Sequence, residues 1–135
     1  MSNHPEALHE EWLRKADEDA QSCGAVLKEG APSTGCFLAQ QIAEKSLKAV
    51  LVARQVAFPK AHDLLALETL VQSVSLEIRE VHEDLVRLNR YYVETRYPGD
   101  YPVFELSECQ EAYEAALRVQ QFVRRIIASS LQSPE

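Results

Sequence analysis

Apolar residues recur at helical spacing along most of the chain, and no segment shows the strict alternation that would indicate a strand. The first helical segment is predicted to run from about Pro5 to Glu29, with Asn3 as its cap and Glu6 three residues further on. Gly30 follows its end. Its apolar stripe is Leu8, Trp12, Ala16, Ala20, Cys23 and Leu27, at helical spacing.

The second helical segment is apolar around most of its circumference, which is typical of a helix in the middle of a bundle. It is predicted to start near Ser33 or Thr34 and to be stopped by Pro59. A polar strip about two turns long interrupts it. The strip consists of Gln40, Gln41, Glu44, Lys45 and Lys48. Such a strip is usually a solvated face, but here it lies on an otherwise buried helix, which favours a specific role.

Three further helices are predicted. The third begins around His62 or Asp63, where an acidic first turn suits the positive end of the helix dipole. The fourth spans roughly Leu76 to Thr95, and Pro98-Gly99 then breaks the chain. Its apolar stripe is Ile78, Val81, Leu85 and Leu88.

The fifth helix is predicted to follow the capping box "SECQ", Ser107 to Gln110, and to end in a fraying tail, "SSLQSPE". Amphipathic helices joined by short turns around one central apolar helix favour an all-α fold, an up-and-down four- to five-helix bundle. We expect a single domain over residues 1–135, with its core at about residues 5–131.

Composition narrows the possible functions. The hydrophobic fraction of 46% and the charged fraction of 26% are those of a globular protein. A net charge of −7 argues against a broad nucleic-acid surface but leaves room for a local cationic pocket. No signal peptide and no apolar stretch of about 20 residues are evident, so we expect a cytoplasmic protein.

The three cysteines, Cys23, Cys36 and Cys109, are widely separated and form no CxxC pair. We therefore expect buried small side chains, with neither a zinc site nor a disulfide framework. The four histidines form no HExxH or paired Glu-x-x-His motif, so no metal site and no cofactor are predicted. The His62-Asp63 pair is interpreted as a helix start.

The stretch "RYYVETRYPGDYP", Arg90 to Pro102, contains two arginines and four of the five tyrosines of the chain. Arginine pairs with phosphate through a planar fork, and tyrosine offers a face for stacking and a hydroxyl. Alternatively, the tyrosines cover the end of the bundle and the arginines pair with Glu83 or Glu94. The residues alone leave both interpretations open.

Several segments resemble, in order and spacing, the HEPN domain family (higher eukaryotes and prokaryotes nucleotide-binding) in its stand-alone prokaryotic form. They are "EWLRKADEDAQSCGAVL", "GCFLAQQIAEKSLKAVLVARQV", "FPKAHDLLAL" and "LNRYYVETRYPGD". The resemblance extends from about Glu11 to Ile127. It implies a four- to five-helix bundle that is usually dimeric and is often encoded beside a minimal nucleotidyltransferase, as in a toxin–antitoxin pair.

Several branches of that family are toxins that cut RNA with the motif Arg-x(4–6)-His. None of Arg87, Arg90 and Arg96 is followed by a histidine at this spacing, and Arg54 is separated from His62 by seven residues. RNA cleavage without a metal needs a group that transfers protons near neutral pH, usually histidine. The resemblance therefore implies binding more strongly than catalysis.

The function predicted is a non-catalytic HEPN-type protein that binds a nucleotide of the ATP or GTP class, acts as the partner of a nucleotidyltransferase, or does both. The predicted ligand-binding residues are Arg90, Arg96, Tyr97, Tyr92, Asp100, Lys45, Lys48, Glu44 and Gln41. The arginines would contact phosphate, and the tyrosines would stack or hydrogen-bond. One alternative is an atypical ribonuclease toxin, and another is a purely structural homodimeric bundle.

Overall fold

A computed structural model describes residues 5–92 and 104–132 of the chain, with side chains at residues 8–92 and 104–129. Its helices are α1 (Pro5–Lys28), α2 (Pro32–Ala53), α3 (Leu64–Gln72), a 3₁₀ segment (Leu76–Val81), α4 (His82–Asn89) and α5 (Leu106–Gln132). Within the described ranges there is no strand, and the predicted all-α bundle is confirmed. None of the described helices is long and apolar enough to cross a membrane.

Helix α2 is the centre of the bundle and packs against α1, α3, α4 and α5. The side chains of Ile42, Leu47 and Leu51 are completely buried, as expected for a helix that is apolar around most of its circumference. Near its start, a Cβ atom on Gly35 would overlap the side chain of Leu27 on α1. Glycine at this position therefore lets α1 and α2 approach each other closely.

The end of α2 differs from the prediction, because the helix stops at Ala53, well before Pro59. Gln55 adopts a left-handed conformation with φ of 59°, and the N–H of Val56 donates to the carbonyl of Leu51 at 2.8 Å. This is the usual hydrogen-bonded termination of a helix, although glycine is the common residue at the left-handed position. The termination is therefore local, and the proline is not its cause.

The predicted fourth helix is divided into the 3₁₀ segment and α4, and α4 ends at Asn89. Its predicted apolar stripe is buried as expected: Ile78, Val81, Leu85 and Leu88. A spacing of three residues between Ile78 and Val81 places both on one side of a 3₁₀ helix, so the stripe alone does not distinguish the two helix types. The predicted extension to Thr95 lies outside the described residues.

The start of α5 also corrects the prediction. The helix begins at Leu106, so Ser107 lies inside the first turn and does not cap it. At the other end the helix continues to Gln132, through most of the segment predicted to be a fraying tail. The predicted cap of α1, Asn3, lies outside the described residues.

Cys36 and Cys109 form a disulfide bond that links α2 to α5, which contradicts the expectation of three free cysteines. Their Cα atoms are 5.0 Å apart although 73 residues separate them in sequence. Only the packing of the two helices brings them together, so spacing along the chain could not reveal the pair. Because disulfides are rare in reducing compartments, the cysteines no longer support a cytoplasmic location.

The third cysteine, Cys23, is free and buried, as expected. Its thiol donates to the carbonyl of Gly35 at 3.2 Å. Burial, with a smaller contribution from the charge of Asp19, raises the pKa of the Cys23 thiol to about 12. The thiol is therefore protonated and poorly nucleophilic near neutral pH.

Candidate functional site

The polar strip of α2 is the centre of a buried hydrogen-bond network around Glu44, whose exposed fraction is only 4%. Its carboxylate accepts from Lys48 Nζ at 2.9 Å and from the side-chain amides of Gln40 and Gln41, both at 3.3 Å. The two carboxylate oxygens also lie 3.2 and 3.1 Å from Nδ1 of His62. These contacts offset the cost of burying a charge, and they confirm that the strip is not a solvated face.

Lys48 is the main counter-charge of Glu44 and is itself buried. Its ammonium group lies 5.6 Å from the ring centre of Trp12 and 5.8 Å from that of Phe58. Aromatic faces attract a desolvated cation, so the two rings stabilise the ammonium group inside the bundle. Lys48 therefore stabilises the buried carboxylate and is not available to a ligand.

His62 lies in the connection between α2 and α3 and is held from three sides. Glu44 binds Nδ1, Gln40 Nε2 donates to the backbone carbonyl of His62 at 3.1 Å, and the ring stacks on Tyr92. The centres of the two rings are 4.3 Å apart and their planes differ by 10°. The side chain of His62 is nevertheless 44% exposed, so its ring is both fixed and accessible.

Asn89 joins the end of α4 to the start of α3. Its Oδ1 accepts from the N–H of Leu64 at 2.8 Å, and its Nδ2 donates to Asp63 Oδ1 at 3.0 Å. Asp63 also caps α3 by accepting from the N–H groups of Leu65 and Ala66, which confirms the predicted helix-start role. These bonds bring Arg90 and Tyr92, which follow Asn89, beside the loop that carries His62.

A cavity of about 550 Å³ lies between this loop and the end of α4. Its lining residues are Lys60, Ala61, His62, Asp63, Asn89, Arg90 and Tyr92. The side chains of Lys60 and Arg90 form no hydrogen bond or ion pair within residues 5–92 and 104–132. The lining also contains the carboxylate of Asp63, whose Oδ1 accepts from the start of α3 and from Asn89, so two cations face one anion. The cavity therefore attracts anions, although the chain as a whole has a net charge of −7.

The predicted ligand-binding residues have different positions. Arg90 and Tyr92 line the cavity, and Glu44 and Gln41 belong to the network that holds His62. Lys45 lies elsewhere, bonded to Asp19 of α1 at 2.6 Å, where it links two helices. The remaining three predictions, Arg96, Tyr97 and Asp100, lie outside the described residues.

Tyr91 belongs to the core and not to the cavity. It is 2% exposed, its hydroxyl donates to Glu108 on α5, and its ring packs edge-on against Phe104. Burial, followed by the hydrogen bond with Glu108 and the charge of that residue, raises the pKa of Tyr91 to about 12. Of the two adjacent tyrosines, therefore, Tyr91 packs and Tyr92 faces the cavity.

Arg87 lies one turn before Arg90 and lines with it a second, smaller cavity of about 320 Å³, but it does not line the cavity beside His62. It pairs with Glu111 of α5 at 3.3 Å and not with Glu83, whereas Glu94 lies outside the described residues. Both side chains are exposed, and exposed pairs contribute less than about 1 kcal/mol. Arg87 is therefore a suitable control for Arg90, because it has the same chemistry one turn away but does not line the cavity beside His62.

Five of the seven lining residues were not among the predicted ligand-binding residues: Lys60, Ala61, His62, Asp63 and Asn89. The burial of Glu44 requires donors from other elements, but nothing near His62 in the sequence identifies it as one of them. Among the described residues no group of three metal-ligating side chains is found. The chemistry available is thus anion binding by Lys60 and Arg90 beside an oriented imidazole.

Comparisons with known proteins agree on a family. The sequence model of the HEPN domain matches residues 9–126. TT1696 from Thermus thermophilus has a similar crystal structure, with a TM-score of 0.73, 26% identity, and coverage of 87% of this chain and 96% of its own. ST0689, an archaeal HEPN homologue, has a TM-score of 0.72 and 22% identity, and covers 88% of this chain and 97% of its own. No match was found among curated proteins.

Proposed function

The chain belongs to the HEPN domain family, and from this premise we propose that it binds a nucleotide in the cavity between the α2–α3 connection and the end of α4. Lys60 and Arg90 bind the phosphates. The stacked rings of His62 and Tyr92 form the aromatic wall beside which the ribose and base lie. Arg96, Tyr97 and Asp100, which follow in sequence, are proposed to complete the site.

One observation carries this proposal: two cationic side chains and a stacked aromatic pair line the same cavity. Neither cation has an ion-pair partner among the described residues. A guanidinium group and an ammonium group suit the oxygens of phosphate. A volume of about 550 Å³ is within the range of small-molecule sites. An inorganic anion would contact only the two cations, whereas a nucleotide would also contact the aromatic wall.

Calorimetric titration with ATP and GTP tests the proposal. We expect binding to the wild type and a loss of affinity of roughly 10-fold or more in Arg90→Ala, because hydrogen bonds to charged groups contribute about 1.5–3 kcal/mol. Arg87→Ala, the matched control, should retain wild-type affinity. Absence of binding to the wild type, or equal losses in both variants, would reject the cavity as the nucleotide site.

The second part of the proposal is that this protein works as a homodimer in a pair with a minimal nucleotidyltransferase, in the manner of a toxin–antitoxin system. Its support is membership of the family and the resemblance to stand-alone members. Co-expression with a nucleotidyltransferase encoded beside it, followed by size-exclusion chromatography with light scattering, tests this part. Separate elution of the two proteins at micromolar concentration would reject it.

A second candidate function is ribonuclease activity, and the position of His62 favours it. The Arg-x(4–6)-His motif is absent from the sequence, but His62 and Arg90 line the same cavity and Glu44 orients the imidazole. A histidine held by a carboxylate is a common proton-transfer group. Incubation of single-stranded RNA with the protein in a chelator, compared with His62→Ala, distinguishes this candidate. Intact RNA in both samples would reject it.

A further inference from the structure

The hydrogen bonds of His62 determine which of its two ring nitrogens carries the proton. Glu44 faces Nδ1 at 3.1 and 3.2 Å, and a carboxylate surrounded by the ammonium of Lys48 and two amide donors can only accept. Nδ1 must therefore be the donor. In the neutral imidazole, Nε2 is then an acceptor.

The acceptor nitrogen is directed away from the buried network. The two ring nitrogens of an imidazole point to opposite sides, so that a ring with Nδ1 bonded to a buried carboxylate presents Nε2 outwards. Within residues 5–92 and 104–132, His62 uses only Nδ1 in hydrogen bonds with side chains. Stacking on Tyr92 and the amide of Gln40 hold the ring and its backbone in this orientation.

A cavity that contains both cations and a fixed acceptor requires a ligand that brings an anion and a donor close together. Of the donors in a nucleotide, the ribose hydroxyls lie closest to the phosphates, whereas the amines of the base lie on the far side of the sugar. We propose that His62 is a specificity-determining residue whose Nε2 accepts a hydrogen bond from a ribose hydroxyl, so that the site selects ribonucleotides over nucleotides without these hydroxyls. This inference rests on the proposed nucleotide binding.

The test compares ATP with 2′,3′-dideoxy-ATP by calorimetry on the wild type and on His62→Phe. Phenylalanine keeps a flat ring for stacking on Tyr92 but has no acceptor. We expect the wild type to prefer ATP by about 2- to 10-fold, which is the contribution of one hydrogen bond. His62→Phe should bind both nucleotides equally, with the affinity that the wild type has for the dideoxynucleotide.

A second variant separates loss of the acceptor from loss of its orientation. In Glu44→Gln the imidazole remains, but an amide can donate to Nδ1 as well as accept from it, so Nε2 is no longer held as an acceptor. We expect a reduced preference for ATP in this variant, and circular dichroism establishes that each variant is folded. If one variant is unfolded, the preference of the wild type for ATP over the dideoxynucleotide and the result for the other variant still test the role of His62.

The outcomes distinguish this inference from the function on which it rests. Equal affinity of the wild type for both nucleotides would overturn the role of His62 but leave nucleotide binding intact. A preference for ATP that persists in folded His62→Phe would assign the hydroxyl contact to another residue, and would also overturn it. Absence of binding of either nucleotide to the wild type would overturn the proposed function, and the inference with it.

Discussion

Glu44 and Lys48 lie one turn apart on α2 and form an ion pair of 2.9 Å inside the bundle, with side chains that are 5% and 9% exposed. His62 adds a further contact to the same carboxylate from outside the core. The Glu44–Lys48 ion pair therefore connects the packed interior to the cavity. It binds the imidazole on one side and contacts Trp12 and Phe58 through its ammonium on the other.

Glu44→Ala is expected to lower the free energy of unfolding by about 3–5 kcal/mol, because it leaves the ammonium of Lys48 buried without a counter-charge. Urea denaturation followed by circular dichroism measures the change. The double variant Glu44→Ala/Lys48→Met should recover part of the loss, since no buried charge remains. Glu111→Ala, which removes the exposed partner of Arg87, is the control and should cost less than about 1 kcal/mol. A small effect of Glu44→Ala would mean that water reaches the ammonium.

The disulfide between Cys36 and Cys109 predicts the number of reactive thiols. Denatured but unreduced protein should contain one titratable thiol per chain, that of Cys23, and reduced protein should contain all three. Native protein should react slowly, because Cys23 is buried and its pKa is raised to about 12. Three thiols in denatured, unreduced protein would contradict the bond.

The same bond should contribute to stability, because it closes a long loop in the unfolded chain. The variant Cys36→Ala/Cys109→Ala is expected to lose about 2–5 kcal/mol of unfolding free energy. Thermal denaturation with and without a reductant measures the same effect in the wild type. Cys23→Ala should respond to the reductant as the wild type does, since it retains the bond.

The helices and the core could be predicted because apolar spacing is a local property of the sequence. Ile78, Val81, Leu85 and Leu88 are all buried, as their spacing indicated. The boundaries were less predictable. The left-handed Gln55 ends α2 without glycine, and Ser107 is a capping residue type that lies within a helix.

The site was only partly predictable, because its residues come from distant parts of the chain. Glu44 and Tyr92 carried local signals, the first as a polar residue on a buried helix and the second in an Arg/Tyr-rich segment. His62 carried none, since its partners are 18 residues before it and 30 residues after it in the sequence. The disulfide bond could not be predicted from the sequence either, because it depends on which helices pack against each other.

Tyr91 predicts a loss of stability at alkaline pH. Its pKa is about 12 in the folded protein against an ordinary value of 10.0, so the unfolded chain loses this proton first as the pH rises. The stabilisation is complete below pH 10 and is lost progressively as the pH approaches and passes about 12. Urea denaturation at pH 8, 10 and 11 should show this decline.

Two variants test whether Tyr91 causes the loss of stability at alkaline pH. Tyr91→Phe should be less stable than the wild type at pH 8 by about 1 kcal/mol, because Glu108 loses its donor, but should decline less between pH 10 and 11. Cys23→Ala removes the other group, among the described residues, whose pKa is raised to about 12. A decline in Tyr91→Phe as steep as that of the wild type would show that Tyr91 is not responsible.

Two left-handed residues at helix ends predict stability changes of opposite sign. Gln55 follows α2 with φ of 59°, and Gly30 follows α1 with φ of 86°. A side chain in this region costs roughly 1–2 kcal/mol, whereas glycine adopts it without strain. Gln55→Gly should therefore raise the free energy of unfolding by up to about 1 kcal/mol after the greater entropy of glycine in the unfolded chain is included. Gly30→Ala should lower it by about 1 kcal/mol, although no atom lies within 4 Å of the added Cβ. Urea denaturation of both variants tests the pair, and a destabilised Gln55→Gly would mean that the glutamine side chain makes a compensating contact.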